Sequence, residues 1–177
     1  MKILVITGSP HKHGTSDLLA SQFIKGAQEA GHNVERFDAA FANLHPCLGC
    51  DKCMTSGPCC QKDDMQIVLP KLLDADLVVL VTPLYYFGMS TQLKMVIDRF
   101  YSANGRIQSK HMDSILLATC WDSDKQIIEG LKLHYEILCN YLNWNNRGMI
   151  LGLGCGNVSM TKHTDYPEQA YRMGREL

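Results

Sequence analysis

The constraint that most narrows the fold is a series of apolar runs without polar alternation, each followed by a stretch of helical period. Leu77–Thr82 is the most apolar, and Lys2–Thr7, Ser114–Thr119 and Gly148–Leu153 share its character. Strands of this kind are buried on both faces, which requires a parallel sheet covered by helices above and below. Asn33–Asp38 reads as a shorter second strand. Between the strands, Asp17–Ala30 sets Leu19, Phe23, Ala27 and Ala30 on one face and closes at Gly31. Asp63–Leu73 turns Met65, Val68 and Leu72 inward. Pro83 is expected to stop the central strand, and a helix follows with Leu93, Val96, Ile97 and Phe100 on one stripe. Asp124–Leu142 and Pro167–Arg175 read as the last two helices, while Ala39–Lys62 has no clear period and reads as loop.

Five strands, each followed by its crossover, predict an α/β domain of three layers (α/β/α). Its five-stranded parallel sheet takes the flavodoxin-like order 2-1-3-4-5. The 177 residues suit one such domain spanning positions 1–177, with the stretch 39–62 as an insertion. The chain is 46% hydrophobic and 20% charged, enough apolar material for a full core. Seventeen Lys plus Arg against eighteen Asp plus Glu leave a net charge of −1. That balance offers neither a basic footprint for nucleic acid nor the acidity of a docking electron carrier. No apolar run approaches the roughly 18 residues of a membrane span, and the first residues lack a signal pattern. The expectation is a soluble, cytoplasmic protein without nucleic-acid or membrane partners.

In doubly wound sheets, ligands sit beyond the carboxyl ends of the strands. The site is therefore expected in the loops after Thr7, Thr82 and Thr119. The first, Gly8-Ser9-Pro10-His11-Lys12-His13-Gly14-Thr15-Ser16, joins strand to helix. With its two glycines, Gly8 and Gly14, it offers backbone N–H donors, hydroxyls on Ser9, Thr15 and Ser16 and a positive dipole end, as a phosphate requires. The same residues also serve as a strand-to-helix turn with Thr15 or Ser16 as N-cap. The glycine spacing fits neither a Walker loop nor a dinucleotide fingerprint. Gly152-x-Gly154-x-Gly156 comes late and also lacks the dinucleotide spacing, so it carries little weight. The second loop, Pro83-Leu84-Tyr85-Tyr86-Phe87-Gly88, has three successive aromatics that cannot all point into a core. The third begins Thr119-Cys120-Trp121-Asp122, where Trp121 is either a hydrophobic plug or a ligand wall.

Five of the eight cysteines fall between Cys47 and Cys60, and Cys120, Cys139 and Cys155 lie in apolar surroundings as expected core residues. Cys47-x2-Cys50-x2-Cys53-x5-Cys59, with Cys60 adjacent, is compact enough to wrap an iron-sulfur cube. It also admits zinc, a Cys-x-x-Cys dithiol, or reduced thiols without a metal. The spacing leaves all four readings open, and the four motif cysteines are metal ligands only if a cluster is present.

The Gly-Ser-Pro opening and Gly-Thr-Ser close of the first loop resemble flavodoxin-like NAD(P)H-dependent FMN reductases. Pro83-Leu84-Tyr85-Tyr86-Phe87 through Gln92-Leu93-Lys94 to Asp98-Arg99 matches the same family most specifically. The cysteine spacing and the following Asp63-Asp64-Met65 resemble its iron-sulfur flavoprotein branch. In that branch the loop usually opens Gly-Ser-Pro-Arg; here His11 stands in the Arg position, leaving Lys12 or a protonated histidine as the cation. The resemblance covers most of the domain and weakens after Asp122.

It implies noncovalent FMN, with Ser9, His11, Gly14, Thr15 and Ser16 about its phosphate and Pro83 to Gly88, Thr119, Cys120 and Trp121 about its ring. Backbone N–H groups from Tyr86 to Gly88 are expected at the pyrimidine end. Hydride would pass from NAD(P)H to flavin N5, so no side chain is assigned as general acid or base. The acceptor would be a flavin, quinone or similar small molecule, or a protein. A [4Fe–4S] version would pass single electrons. A homodimer or homotetramer is also implied, with the excursion 39–62 as its arm. Two other classes compete: a flavodoxin-type carrier, which the charge disfavours, and a regulatory module using the thiol loop as a redox sensor.

Overall fold

The structure is a computed structural model describing residues 1–177. In chain order it contains β1 (Lys2–Thr7), α1 (Thr15–Glu29), β2 (Asn33–Asp38), the single turn α2 (Lys52–Thr55), α3 (Met65–Asp74), β3 (Leu77–Tyr85) and β4 (Gly88–Met89). There follow α4 (Thr91–Asp98), α5 (Asn104–Gln108), β5 (Asp113–Thr119), α6 (Glu129–Leu142), β6 (Asn145–Gly152), α7 (Val158–Lys162) and α8 (Tyr166–Arg175). The parallel sheet runs β2-β1-β3-β5-β6, the expected five-strand order. Its register sets Val5 beside Val79 and Leu80 beside Leu116, so the apolar runs meet across the middle. One apolar layer lies under α1 and α8, and a larger one lies under α3, α4 and α6.

Two expectations are corrected. Pro83 does not stop β3, which continues to Tyr85 and returns antiparallel through β4 as a sixth strand. Its partner β1 has already ended, with Thr7 opposite Val81, so the absent Pro83 N–H breaks no bond on that side. The α1 N-cap is Gly14, not Thr15 or Ser16, and no side chain caps the helix. The 39–62 stretch is irregular apart from a 3-10 turn at Ala39–Phe41 and α2.

The α1–α8 crossing depends on two glycines. A Cβ on Gly26 would lie 2.1 Å from the Tyr171 carbonyl oxygen, and one on Gly174 would lie 2.2 Å from that of Phe23. Both obstacles are backbone, so only glycine allows this approach. No helix is long and apolar enough to cross a membrane.

Candidate functional site

Four loops meet at the carboxyl edge of the sheet, and their mutual anchoring sets the site. Ser90, fully buried, donates from Oγ to the Gly8 carbonyl at 2.7 Å and accepts from the Leu93 N–H at the start of α4. Its own N–H donates to Thr82 Oγ1 at 2.9 Å. These bonds fix the loop after β1 to the end of β3. Gly8 permits it, since a Cβ there would lie 2.4 Å from Ser90 Oγ. On the other side, Thr119 Oγ1 lies 2.9 Å from Thr15 Oγ1 and 2.8 Å from Ser16 Oγ, joining the end of β5 to the first turn of α1.

Between these anchors opens a cleft of about 730 Å3, within the size range of cofactor sites. The α1 N-terminus faces it through Gly14, Thr15 and Ser16, with Ser9, His11, Lys12 and His13 from the same loop. Pro83, Leu84 and Tyr85 form a second side, and Thr119, Cys120 and Trp121 a third. Eleven of the fourteen residues expected from sequence at the cofactor line this one cleft. Tyr86, Phe87 and Gly88 do not. Tyr86 and Phe87 occupy the hairpin tip between β3 and β4 at φ 45° and 64°, and Tyr86 is fully exposed. Such turns favour Asn-Gly, so two aromatics there hold a strained backbone.

The fourth side was not expected. Cys155, Gly156, Asn157 and Val158, after β6, also line the cleft. Their signal was the glycine-rich stretch Gly152–Gly156, whose role is steric: a Cβ on Gly156 would meet the Trp121 ring at 2.9 Å. The indole thus lies against glycine on one side while remaining 73% exposed.

The electrostatics favour an anion at the α1 end. Asp17 is the acidic residue of the first turn, and Arg36 pairs with it at 2.7 Å. Arg36 also holds Asp38 at 2.7 Å, and Thr7 Oγ1 donates to the same carboxylate. Burial tends to raise the Asp38 pKa, but the Arg36 and Thr7 hydrogen bonds outweigh it and leave it lowered. Cys120 is a poor nucleophile, since burial and the neighbouring Cys155 and Asp122 push its thiol up to about 11.

The cysteine loop forms a second place. Cys47, Cys50, Cys53, Cys59 and Cys60 all line one small cavity with Tyr101. The loop is closed at its base by Arg99, whose guanidinium donates to Asp63 at 2.7 and 3.1 Å and to the His45 carbonyl at 2.9 Å. His45 is itself mostly exposed, with Nδ1 3.5 Å from the Asp63 carboxylate. The adjacent Asp98 and Arg99 therefore divide: Asp98 pairs with Lys94 outside, and Arg99 is buried on Asp63. Cys120, Cys139 and Cys155 are buried, as expected.

The family model for NADPH-dependent FMN reductases matches residues 1–118, two-thirds of the chain. The chain belongs to the NADPH-dependent FMN reductase family. This family member is 38% identical over 99 residues to the iron-sulfur flavoprotein MJ1083 of Methanocaldococcus jannaschii, covering 56% of this chain and 51% of that one. It thus spans about half the length of that relative. YwqN of Bacillus subtilis, named as an NAD(P)H-dependent FMN-containing oxidoreductase, is 25% identical over 164 residues, 87% of this chain and 86% of that one. An NAD(P)H:quinone oxidoreductase from Methanothermobacter marburgensis superposes with a TM-score of 0.80 at 18% identity, over 99% of this chain and 95% of that one. At that identity the likeness establishes the shared fold.

Proposed function

We propose that the protein is an FMN-dependent oxidoreductase that takes hydride from NAD(P)H and reduces a flavin, a quinone or a similar small-molecule or protein acceptor. The observation that carries this reading is the cleft at the carboxyl edge of the sheet, headed by the start of α1 and walled by Tyr85 and Trp121. Family membership over residues 1–118 supports the choice of FMN.

The residues fit the cofactor. Gly14 begins α1 without a capping side chain, so the first N–H groups of the helix remain available to a phosphate. Ser9, Thr15 and Ser16 add hydroxyls and Lys12 a cation, and the Arg36–Asp17 pair removes the repulsion an isolated carboxylate would exert. Pro83, Leu84, Tyr85 and Trp121 offer the apolar and aromatic walls that a flat ring requires. When bound, FMN supplies the hydride acceptance and release. The chain binds it, orients it through the Thr15–Thr119–Ser16 contacts, and leaves one side open for nicotinamide and acceptor in turn. No side chain is assigned as general acid or base.

The iron-sulfur version fits less well. The five cysteines share one small cavity, but no three of them stand in a metal-holding arrangement. The close sulfur pair joins Cys50 to Cys60, outside the four-cysteine spacing. The reading therefore gives these cysteines no step in the hydride path. It includes a homodimer or homotetramer, consistent with exposed Phe41, Leu48 and Met54 on the 39–62 excursion. It also includes a cytoplasmic setting, consistent with eight unpaired cysteines.

The test is to load the protein with FMN and supply NADPH or NADH with a quinone. Steady oxidation of the nicotinamide supports the enzyme. Reduction that stops after one equivalent marks a carrier, and failure to take up FMN removes the cleft assignment.

A further inference from the structure

We propose that Cys50 and Cys60 form a reversible disulfide, making the 39–62 excursion a thiol–disulfide switch sensitive to hydroperoxides. Among the five thiols about the small cavity, these two stand apart. Their Sγ atoms lie 3.6 Å apart, and both residues are exposed. Sequence spacing alone directs attention to the Cys-x-x-Cys steps at Cys47–Cys50 and Cys50–Cys53. The fold selects instead a partner ten positions away and outside the four-cysteine motif.

The surrounding bonds show how the fold holds this pair together. Gly49 and Asp51 flank Cys50 with φ of 60° and 54°, a pair of left-handed residues that turns the chain at that point. Asp51 is then fixed by the Tyr101 hydroxyl, which donates to its Oδ1 at 3.1 Å. On the opposite strand of the loop, Gln61, next to Cys60, donates to the Pro46 carbonyl at 2.7 Å. The Arg99–Asp63 pair closes the base, binding the His45 backbone before the cysteines and the Met65 N–H after them. Each cysteine therefore sits next to a residue whose side chain anchors that part of the loop.

The chemistry balances with a hydroperoxide as oxidant. One thiol is oxidised to a sulfenic acid as the peroxide O–O bond breaks and water leaves. The second thiol then displaces hydroxide from that sulfur, forming the S–S bond and releasing another water. In sum, two thiols and one hydrogen peroxide give one disulfide and two waters. A small dithiol reverses it by exchange, taking up the disulfide itself. Cys139 is shielded in the core, and Cys120 and Cys155, which line the cleft, expose almost none of their surface.

The inference does not rest on the FMN reading and is tested separately from it. Fully reduced protein, purified anaerobically, is treated with equimolar hydrogen peroxide, then mapped by mass spectrometry without reduction and assayed for thiols with Ellman's reagent. The expected result is a peptide joined through Cys50 and Cys60 and the loss of two reactive thiols per chain, restored by dithiothreitol. Cys60→Ser should abolish the link and Cys53→Ser should retain it, with melting temperature and FMN uptake unchanged in Cys60→Ser. Links confined to Cys47–Cys50 or Cys50–Cys53, oxidation without any link, or iron and sulfide bound to these cysteines in the purified protein would each overturn the proposal.

Discussion

Arg99 and Asp63 form a two-pronged ion pair with almost no solvent contact: the two side chains are 2% and 0% exposed, and the nearest N–O distance is 2.7 Å. The pair joins the end of the α4 region to the closing end of the cysteine loop. Burial tends to raise the Asp63 pKa, but the hydrogen bonds from Arg99 and from the His45 and Met65 N–H groups outweigh it, so the net shift is downward. Arg99→Met strands a buried carboxylate and is expected to cost about 3–5 kcal/mol, read by urea melts at pH 7. A loss under about 1 kcal/mol would mean that water reaches the pair in solution.

The same shift sets a pH dependence. A lowered folded pKa means the stabilisation is complete above the unfolded value near 3.9 and is lost as pH falls toward the lower folded value. Acid melting below about pH 4 should therefore be shallower in Asp63→Asn than in the parent. Parallel pH–stability curves for the two proteins contradict this assignment.

At the cleft, Thr15→Ala with Ser16→Ala removes both hydroxyls that meet Thr119. Hydrogen bonds to a charged acceptor are worth about 1.5–3 kcal/mol each, so FMN should bind at least about 100-fold more weakly. Isothermal titration with FMN and with riboflavin separates the cause. The phosphate assignment requires the loss to appear with FMN and to be small with riboflavin.

Arg36→Ala frees the Asp17 carboxylate at the start of α1. The unpaired carboxylate then repels the phosphate across solvent by a fraction of a kcal/mol up to about 1 kcal/mol, so FMN affinity should fall about two- to fivefold, more at low salt. An unchanged affinity at low salt places the phosphate elsewhere.

Two glycine substitutions should behave differently. Gly26→Ala drives a methyl into the Tyr171 carbonyl and should destabilise the whole fold by about 1–3 kcal/mol or more. Gly156→Ala meets only the exposed Trp121 ring, so it should leave the melting temperature nearly unchanged and shift the tryptophan fluorescence. Melting curves and emission spectra of both variants check the contrast.

The sheet was legible because Leu77–Thr82 and its companions carry no polar alternation, and a strand buried on both faces has few alternatives. The loops after Thr7, Thr82 and Thr119 were legible because strand order fixes where the carboxyl ends meet. The Tyr86–Phe87 turn was not, since aromatics are poor formers of a left-handed hairpin turn and local preference points elsewhere. Nor was Arg99: an Asp-Arg dipeptide carries no sign that its arginine reaches a carboxylate 36 positions away. Nor was the role of Gly156, since the spacing of the Gly152–Gly156 stretch suits no phosphate motif and its contact with Trp121 comes from the fold.

The most direct measurement is a titration of the purified protein with FMN, followed by visible absorption and flavin fluorescence, in parallel with the Thr15→Ala, Ser16→Ala double variant. The account predicts saturation at one FMN per chain with quenched fluorescence, and a marked weakening in the variant. A parent protein that binds no FMN, or a variant that binds it equally well, would contradict it.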